Sequence, residues 1–305
     1  MKGSPIRGVH HVALAVCDLP AAQRFYRQAA SLQDWGAAEA LGLGPLLCSA
    51  NGGLRLHRAA SGQVPLRRPV SEAGVAHLCL QTPGLAAVIE RFAAAGSCFH
   101  SNPVDLGTGF LYTYARDPEH NVTEIECTPP VWADDRPWLA HVNIVTADLP
   151  RLLLFYEALL GQAATRSPRL GGDPRFDQIA DLPQVQLRAA WLNAGNMQIE
   201  LMQYLHPATL AATGRRKPGA AGYSGITFEV DDLVGAAEHL RACGGSVDEA
   251  AVGPGWIAAT DPDGNRLCCW TRGPLARRRP PSRTCRRRAS RSLLWPPAPR
   301  FPSDL

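Results

Sequence analysis

One internal repeat constrains this chain more than any other feature. The run His11-Val-Ala-Leu-Ala-Val-Cys-Asp18-Leu19-Pro20, continuing to Phe25-Tyr26, returns as His141-Val-Asn-Ile-Val-Thr-Ala-Asp148-Leu149-Pro150, continuing to Phe155-Tyr156, with matched residues 130 positions apart. A fixed offset of this kind means that one supersecondary unit is used more than once. Each copy reads as an alternating strand, a turn with Asp placed as N-cap and Pro in the first helical turn, and an amphipathic helix with its Phe-Tyr pair in the core. A weaker pair joins them. His77-Leu-Cys-Leu-Gln-Thr leads into a predicted helix over 85–95 that ends at Gly96, and Gly225-Ile-Thr-Phe-Glu-Val-Asp231-Asp232 leads into one over 233–243 that ends at Gly244-Gly245. Glycine suits both ends because a left-handed C-cap carries no penalty there.

Short strand-like runs follow each helix, and two of the final turns are explicit: Asp117-Pro-Glu-His-Asn121 and Asp261-Pro-Asp-Gly-Asn265. The order strand, helix, three strands therefore occurs four times, and the expected class is α+β, four βαβββ modules. They are placed at 7–60, 74–128, 137–204 and 222–271, the first two forming a domain at 1–130 and the last two a domain at 131–271. Thr128 to Pro137 reads as the exposed link between them.

Composition excludes several classes of function. No apolar run approaches the roughly 20 residues needed to span a bilayer. The opening residues lack the small-residue cleavage site of a signal peptide. Nine cysteines, none in a C-x-x-C pair, fit a reducing compartment, so the expected location is the cytoplasm. The formal charge of +4 misleads until it is placed along the chain. From Arg272 onward ten arginines face one acid, a surplus of +9, so residues 1–271 carry −5. An acidic body argues against nucleic acid as its partner, and the Arg/Pro-rich tail 272–305, lacking periodicity, reads as disordered.

At this point the chain resembles the vicinal oxygen chelate superfamily, which includes glyoxalase I, methylmalonyl-CoA epimerase, extradiol dioxygenases and the bleomycin and fosfomycin resistance proteins. The resemblance rests on HHVALAVCDLPAAQRFY, HVNIVTADLPRLLLFYEALLG, DPEHNVTEIEC, DLPQVQLRAAWLNAGNMQIELMQYLHPA and DPDGNRLCCW, and it extends to about residue 271. It implies modules curled in pairs into open barrels, giving two glyoxalase-like domains. It also implies one divalent metal ion held by the His that opens each module and the Glu on its last strand.

In this sequence the opening positions hold His11, His77, His141 and Gly225, and the closing positions hold Arg55, Glu124, Glu200 and Cys268. The second and third modules keep both residues. Pairing these two collects His77, Glu124, His141 and Glu200, a set suited to Zn, Ni, Co or Mn, with Fe also open. The resemblance then implies a lyase or isomerase of glyoxalase or epimerase type, with Glu124 or Glu200 as general base next to a substrate carbonyl. Pairing the first module with the second gives His11, His77 and Glu124 instead, the two-histidine, one-carboxylate set of Fe(II) dioxygenases. Tyr114 fits the tyrosine of the extradiol signature, but Asp105 to Gly109 lacks the histidine expected before it, so ring cleavage ranks second. A metal-free small-molecule binding or resistance protein is the third reading. His10 is expected to face away from His11, and Glu126 to share the face of Glu124. The expected partner is a small-molecule substrate, with the chain a monomer or homodimer.

Overall fold

The computed structural model describes residues 4–36, 44–129, 136–212, 217, 219–253 and 255–271. The arginine-rich tail, most of the inter-half link, and Arg215 and Arg216 of the basic, Gly/Pro-flanked stretch between the third and fourth modules lie outside the described residues.

All four repeats form the expected elements, with one further short strand in each of the second and third modules. The first module contains β1 (Ile6–Val16), α1 (Leu19–Gln28), β2 (Gln33–Asp34), β3 (Leu46–Cys48) and β4 (Gly53–Arg58). The second contains β5 (Gly74–Thr82), α2 (Leu85–Ala94), β6 (Cys98–Phe99), β7 (Val104–Asp105), β8 (Leu111–Arg116) and β9 (Val122–Cys127). The third contains β10 (Trp138–Val145), α3 (Leu149–Leu160), β11 (Thr165–Arg166), β12 (Leu170–Gly171), α4 (Pro174–Ala180), β13 (Gln186–Asn193) and β14 (Gln198–His206). The fourth contains β15 (Gly222–Val230), α5 (Leu233–Ala242), β16 (Ser246–Gly253), β17 (Trp256–Thr260) and β18 (Arg266–Trp270). Asp18 and Asp148 accept N–H bonds from Ala21 and Arg151, as N-caps do, and Gly96 and Gly244 take positive φ after α2 and α5. Helix α4 was not anticipated. Its local signal is a similar start, an Asp N-cap followed here directly by Pro174, with Asp173 accepting from the Arg175 N–H, but seven residues are too few to show helical periodicity.

Within each module the first strand lies parallel to the last: β1 to β4, β5 to β9, β10 to β14 and β15 to β18. Between modules, first strands pair antiparallel, β1 with β15 and β5 with β10. The result is two sheets. The eight-stranded one runs β16-β17-β18-β15-β1-β4-β3-β2, and the ten-stranded one has the path β11-β13-β14-β10-β5-β9-β8-β6, with β12 on β13 and β7 on β8. Neither sheet closes into a barrel. Each sequence half gives one module to each sheet, so the first module pairs with the fourth and the second with the third.

Other bonds tie the modules within a half. The Tyr26 hydroxyl donates to Asp117 at 2.9 Å and the Tyr156 hydroxyl to Asp261 at 3.1 Å, so each DP turn holds the helix of the module before it. Glu119 accepts from the Cys17 and Asp18 N–H groups, and Asp263 from the Thr146 hydroxyl, at the approaches to α1 and α3. One buried cluster, from Phe25 and Phe92 through Phe155 to Phe228, fills the space under both sheets.

Two asparagines fasten the sheets together at matching points. Asn51, in the turn before β4, accepts from the Leu139 N–H at 3.2 Å and donates to the Leu139 carbonyl at 2.6 Å. Asn196, in the turn before β14, does the same for Val9 at 2.8 and 2.7 Å. Each also donates to the other's backbone carbonyl. Val9 and Leu139 stand just before ladder irregularities, between Val9 and His11 and between Leu139 and His141. A bulge interrupts strand pairing locally, and here a side-chain amide supplies the bonding. Replacing Asn51 or Asn196 by Ala is expected to lower unfolding free energy by about 2 kcal/mol, the cost of leaving such backbone groups unpaired. Urea denaturation checks this, and an unchanged midpoint would show that the clasp contributes nothing.

Candidate metal centre

The four central positions of the ten-stranded sheet converge on one face, and Glu124, His141 and Glu200 line the cleft above it. Strands β14, β10, β5 and β9 are adjacent and carry Glu200, His141, His77 and Glu124. The register is two-fold symmetric: His141 lies opposite Cys79 and His77 opposite Asn143 across the antiparallel pair, while Glu124 lies beside Cys79 and Glu200 beside Asn143 in the parallel pairs. Ladder irregularities immediately precede both histidines, between Leu139 and His141 and, on the other strand, between Val75 and His77. Bulges re-aim a side chain relative to strict alternation.

Their ligand atoms lie within 4.8 Å of one another, and all four residues are buried. His141 Nε2 is 2.9 Å from Glu124 Oε2 and 3.1 Å from Glu200 Oε2, and His77 Nε2 is 3.2 and 3.7 Å from the same oxygens. His141 Nε2 nevertheless has no aligned hydrogen-bond partner. One of these contacts, His77 Nε2 to Glu124 Oε2, is a hydrogen bond, but the crowding of carboxylate oxygens around the unbonded His141 Nε2 suits a shared cation, and two imidazoles with two carboxylates are a donor set that divalent transition metals accept. The residues therefore fit the implied metal. Burial opposes ionisation of each group, yet mutual attraction outweighs it. His77 is raised by Glu124 and Glu200, His141 by Cys79 and Glu200, and both carboxylates are lowered by His141 and His77.

The cleft above the cluster encloses about 730 Å³, part of it open to solvent. Tyr114 lines it, buried, with its ring 5.0 Å from that of His77. Glu126 lines it too, as its spacing from Glu124 requires, and Gln81 Nε2 donates to it at 2.6 Å. Sequence reading missed Asn143, which donates to Glu200 Oε2 at 2.9 Å, and the aromatic wall of Tyr112, Phe176, Trp191 and Tyr204. Asn143 stands two residues after His141 on the same strand face, a spacing that could have marked it. The wall residues come from elements whose approach no local pattern announces.

The first and fourth modules repeat this register without the chemistry. His11 pairs with Thr227, Gly225 with Ala13, Arg55 with Ala13 and Cys268 with Thr227, so these residues occupy the equivalent places. His11 is in the eight-stranded sheet, bonded to the Thr227 hydroxyl at 3.1 Å and held below the usual histidine range by burial, with His10 and Arg55 adding to it. The alternative set His11, His77, Glu124 is thus not assembled, because β1 pairs with β15 and not with β5. At Gly225 a Cβ would lie 2.9 Å from the Arg266 carbonyl, so no side chain enters there without a shift. His10 also departs from expectation. The irregularity between Val9 and His11 breaks alternation and brings His10 Nδ1 to 2.8 Å from His11 Nδ1, while the His10 ring packs on Trp270 and Trp35.

Fold and site together define a paired βαβββ protein with a buried nitrogen-and-oxygen ligand cluster at the floor of a small-molecule cleft. The profile of the Glyoxalase/Bleomycin resistance protein/Dioxygenase superfamily matches residues 8–125 and again 138–269, and the chain belongs to this superfamily. No curated protein matches the chain significantly. Among solved structures, glyoxalase I from Zea mays is similar at 16% identity with a TM-score of 0.59, over 87% of this chain and 92% of that one. A "putative dioxygenase" from Bacillus subtilis subsp. subtilis str. 168 is similar at 12% identity with a TM-score of 0.53, over 90% of this chain and 87% of that one. At these identities the likeness is one of fold. Among the described residues no helix is long and apolar enough to cross a membrane.

Elemental analysis after dialysis against a divalent metal separates the two sheets. His141→Ala and Glu200→Ala are expected to lose most of the bound ion and His11→Ala to keep it; equal loss in all three would contradict the assignment.

Proposed function

We propose that this protein is a metal-dependent lyase or isomerase of glyoxalase or epimerase type, removing a proton from the carbon next to a carbonyl of a small organic substrate. The observation that carries the reading is the convergence of His77, Glu124, His141 and Glu200 at the floor of an otherwise mostly apolar cleft. These four residues would hold the ion. When bound, a divalent cation supplies Lewis-acid polarisation of the carbonyl, which acidifies the neighbouring C–H.

The two glutamates differ in their support. Asn143, from outside the cluster, anchors Glu200, whereas Glu124 is hydrogen-bonded by its cluster neighbour His77, and Cys79, the residue in the corresponding place, directs its thiol to Glu126. Glu200 is therefore assigned to holding the ion, and Glu124 to taking the proton from carbon and returning it to the adjacent carbon from the same face. Tyr114 packs on His77, and burial, with Glu124 next, pushes its phenol well above the ordinary range, so it stays protonated as a donor toward the cleft. The surrounding aromatic and aliphatic side chains exclude water, which strengthens each charge interaction at the floor.

Deuterium exchange at the carbon α to the carbonyl of 2-hydroxyacetophenone, followed by NMR in D₂O, tests this reading. EDTA is expected to abolish exchange. Glu124→Gln should slow it by about 100-fold or more while keeping the metal, the scale of a lost general base. Glu200→Gln should lose the metal itself. Full exchange by Glu124→Gln would remove the assignment.

A further inference from the structure

The walls of the cleft carry information that its floor does not. Tyr112, Tyr114, Phe176, Trp191 and Tyr204 line it together with aliphatic residues of β12, β13 and α4. Among the described residues, none of those lining the cleft is Arg or Lys. Three of the four ionisable groups other than tyrosine on this surface, Glu124, His141 and Glu200, belong to the metal cluster, and the fourth is another carboxyl, Glu126. A substrate carboxylate or phosphate inside the cleft would find no cation among these described residues and would face Glu126, and burying an unpaired anion costs several kcal/mol.

Glu126 sits two residues along β9 from Glu124, about 7 Å at the rise of a strand, so it marks the wall one ring width from the cluster. Gln81 fixes it, donating Nε2 to Glu126 Oε2 at 2.6 Å across the β5 and β9 pair. The amide oxygen of Gln81 is buried and has no hydrogen-bond partner. This side of the cleft thus offers acceptors, and a ligand arriving there satisfies it only by bringing a donor.

Building on the reading of the floor as a metal centre, we infer that the substrate is an uncharged aromatic carbonyl compound. Its ring stacks among the tyrosines and Trp191, its carbonyl end points to the cluster, and a hydroxyl or amino group at the far end donates to the wall made by Glu126 and Gln81. Glu126 is then a specificity residue, selecting for a donor and against an anion at one position of the ring.

Calorimetric titration of the full-length, zinc-loaded protein tests this with three probes of one shape: 2,4′-dihydroxyacetophenone, 2-hydroxyacetophenone and 4-(2-hydroxyacetyl)benzoate. The dihydroxy compound is expected to bind about tenfold more tightly than the one lacking the ring hydroxyl, the worth of one well-placed hydrogen bond. The benzoate should bind more weakly than either. Glu126→Leu should erase the preference for the ring hydroxyl, and Gln81→Met should reduce it, giving a second reading if the first variant does not fold. Benzoate binding as tightly as the dihydroxy compound, or an unaltered preference in both variants, would overturn the inference. Metal content measured on the same samples separates the two readings: protein that holds no zinc yet orders the probes as expected loses the enzymatic reading and keeps the cleft assignment, whereas zinc-replete protein with a flat or inverted order loses the substrate class alone.

Discussion

The antiparallel contact between β5 and β10 is the interaction on which the site depends. The second and third modules each place their first strand parallel to their last, so each brings one imidazole next to one carboxylate. Only when two such modules join along their first strands do the two pairs meet, and the bulges before His77 and His141 set the rotation at which they do so. A one-residue slip in this ladder would turn both histidines into the hydrophobic layer beneath the sheet, where Leu78, Leu80, Val142 and Ile144 now lie. Burial of that layer is what specifies the register, so packing under the sheet positions the chemistry above it.

Strand pairing and side-chain pairing divide the molecule differently. Backbone ladders join the first module to the fourth and the second to the third, while the Tyr26 to Asp117 and Tyr156 to Asp261 bonds join modules within each half. The asparagine clasp adds a third kind of tie, from the hairpin turns of one sheet to the first strand of the other. Opening either sheet therefore breaks bonds within both halves. The eight-stranded sheet retains the full register of its partner without the ligand set, with Arg55 where Glu200 has its counterpart and Gly225 closed off by Arg266. It carries Asn51 and Val9, its side of the clasp that ties it to the ligand-bearing sheet.

Much of this was legible in the residues. The caps at Asp18 and Asp148, the glycines after α2 and α5, and the DP turns are local chemistry, acting within a few positions of the chain, and they appear where the pattern puts them. The four clustered side chains were legible through the family resemblance, which implied a ligand on each module's opening and closing strand; alternation and the offset between modules then located those positions in this chain. Alternation failed at His10, where a bulge intervenes, and bulges answer to the neighbouring strand and to Asn196, 187 residues away. Helix α4 and the aromatic wall were not legible, being too short or too scattered to leave a period.

What the sequence by itself determined is the module, its four repetitions, and which residue types stand at each module's opening and closing strand. Those are consequences of dihedral preference, capping and side-chain periodicity, which need no partner to be expressed. Only the tertiary structure decided which modules share a sheet, that His11 stands apart from His77, and that tyrosines, Trp191 and the Glu126 wall enclose the cluster. Sheet partners are chosen by hydrogen bonds and burial between segments far apart in the chain, and that choice is made by the folded whole and not by any window of residues within it.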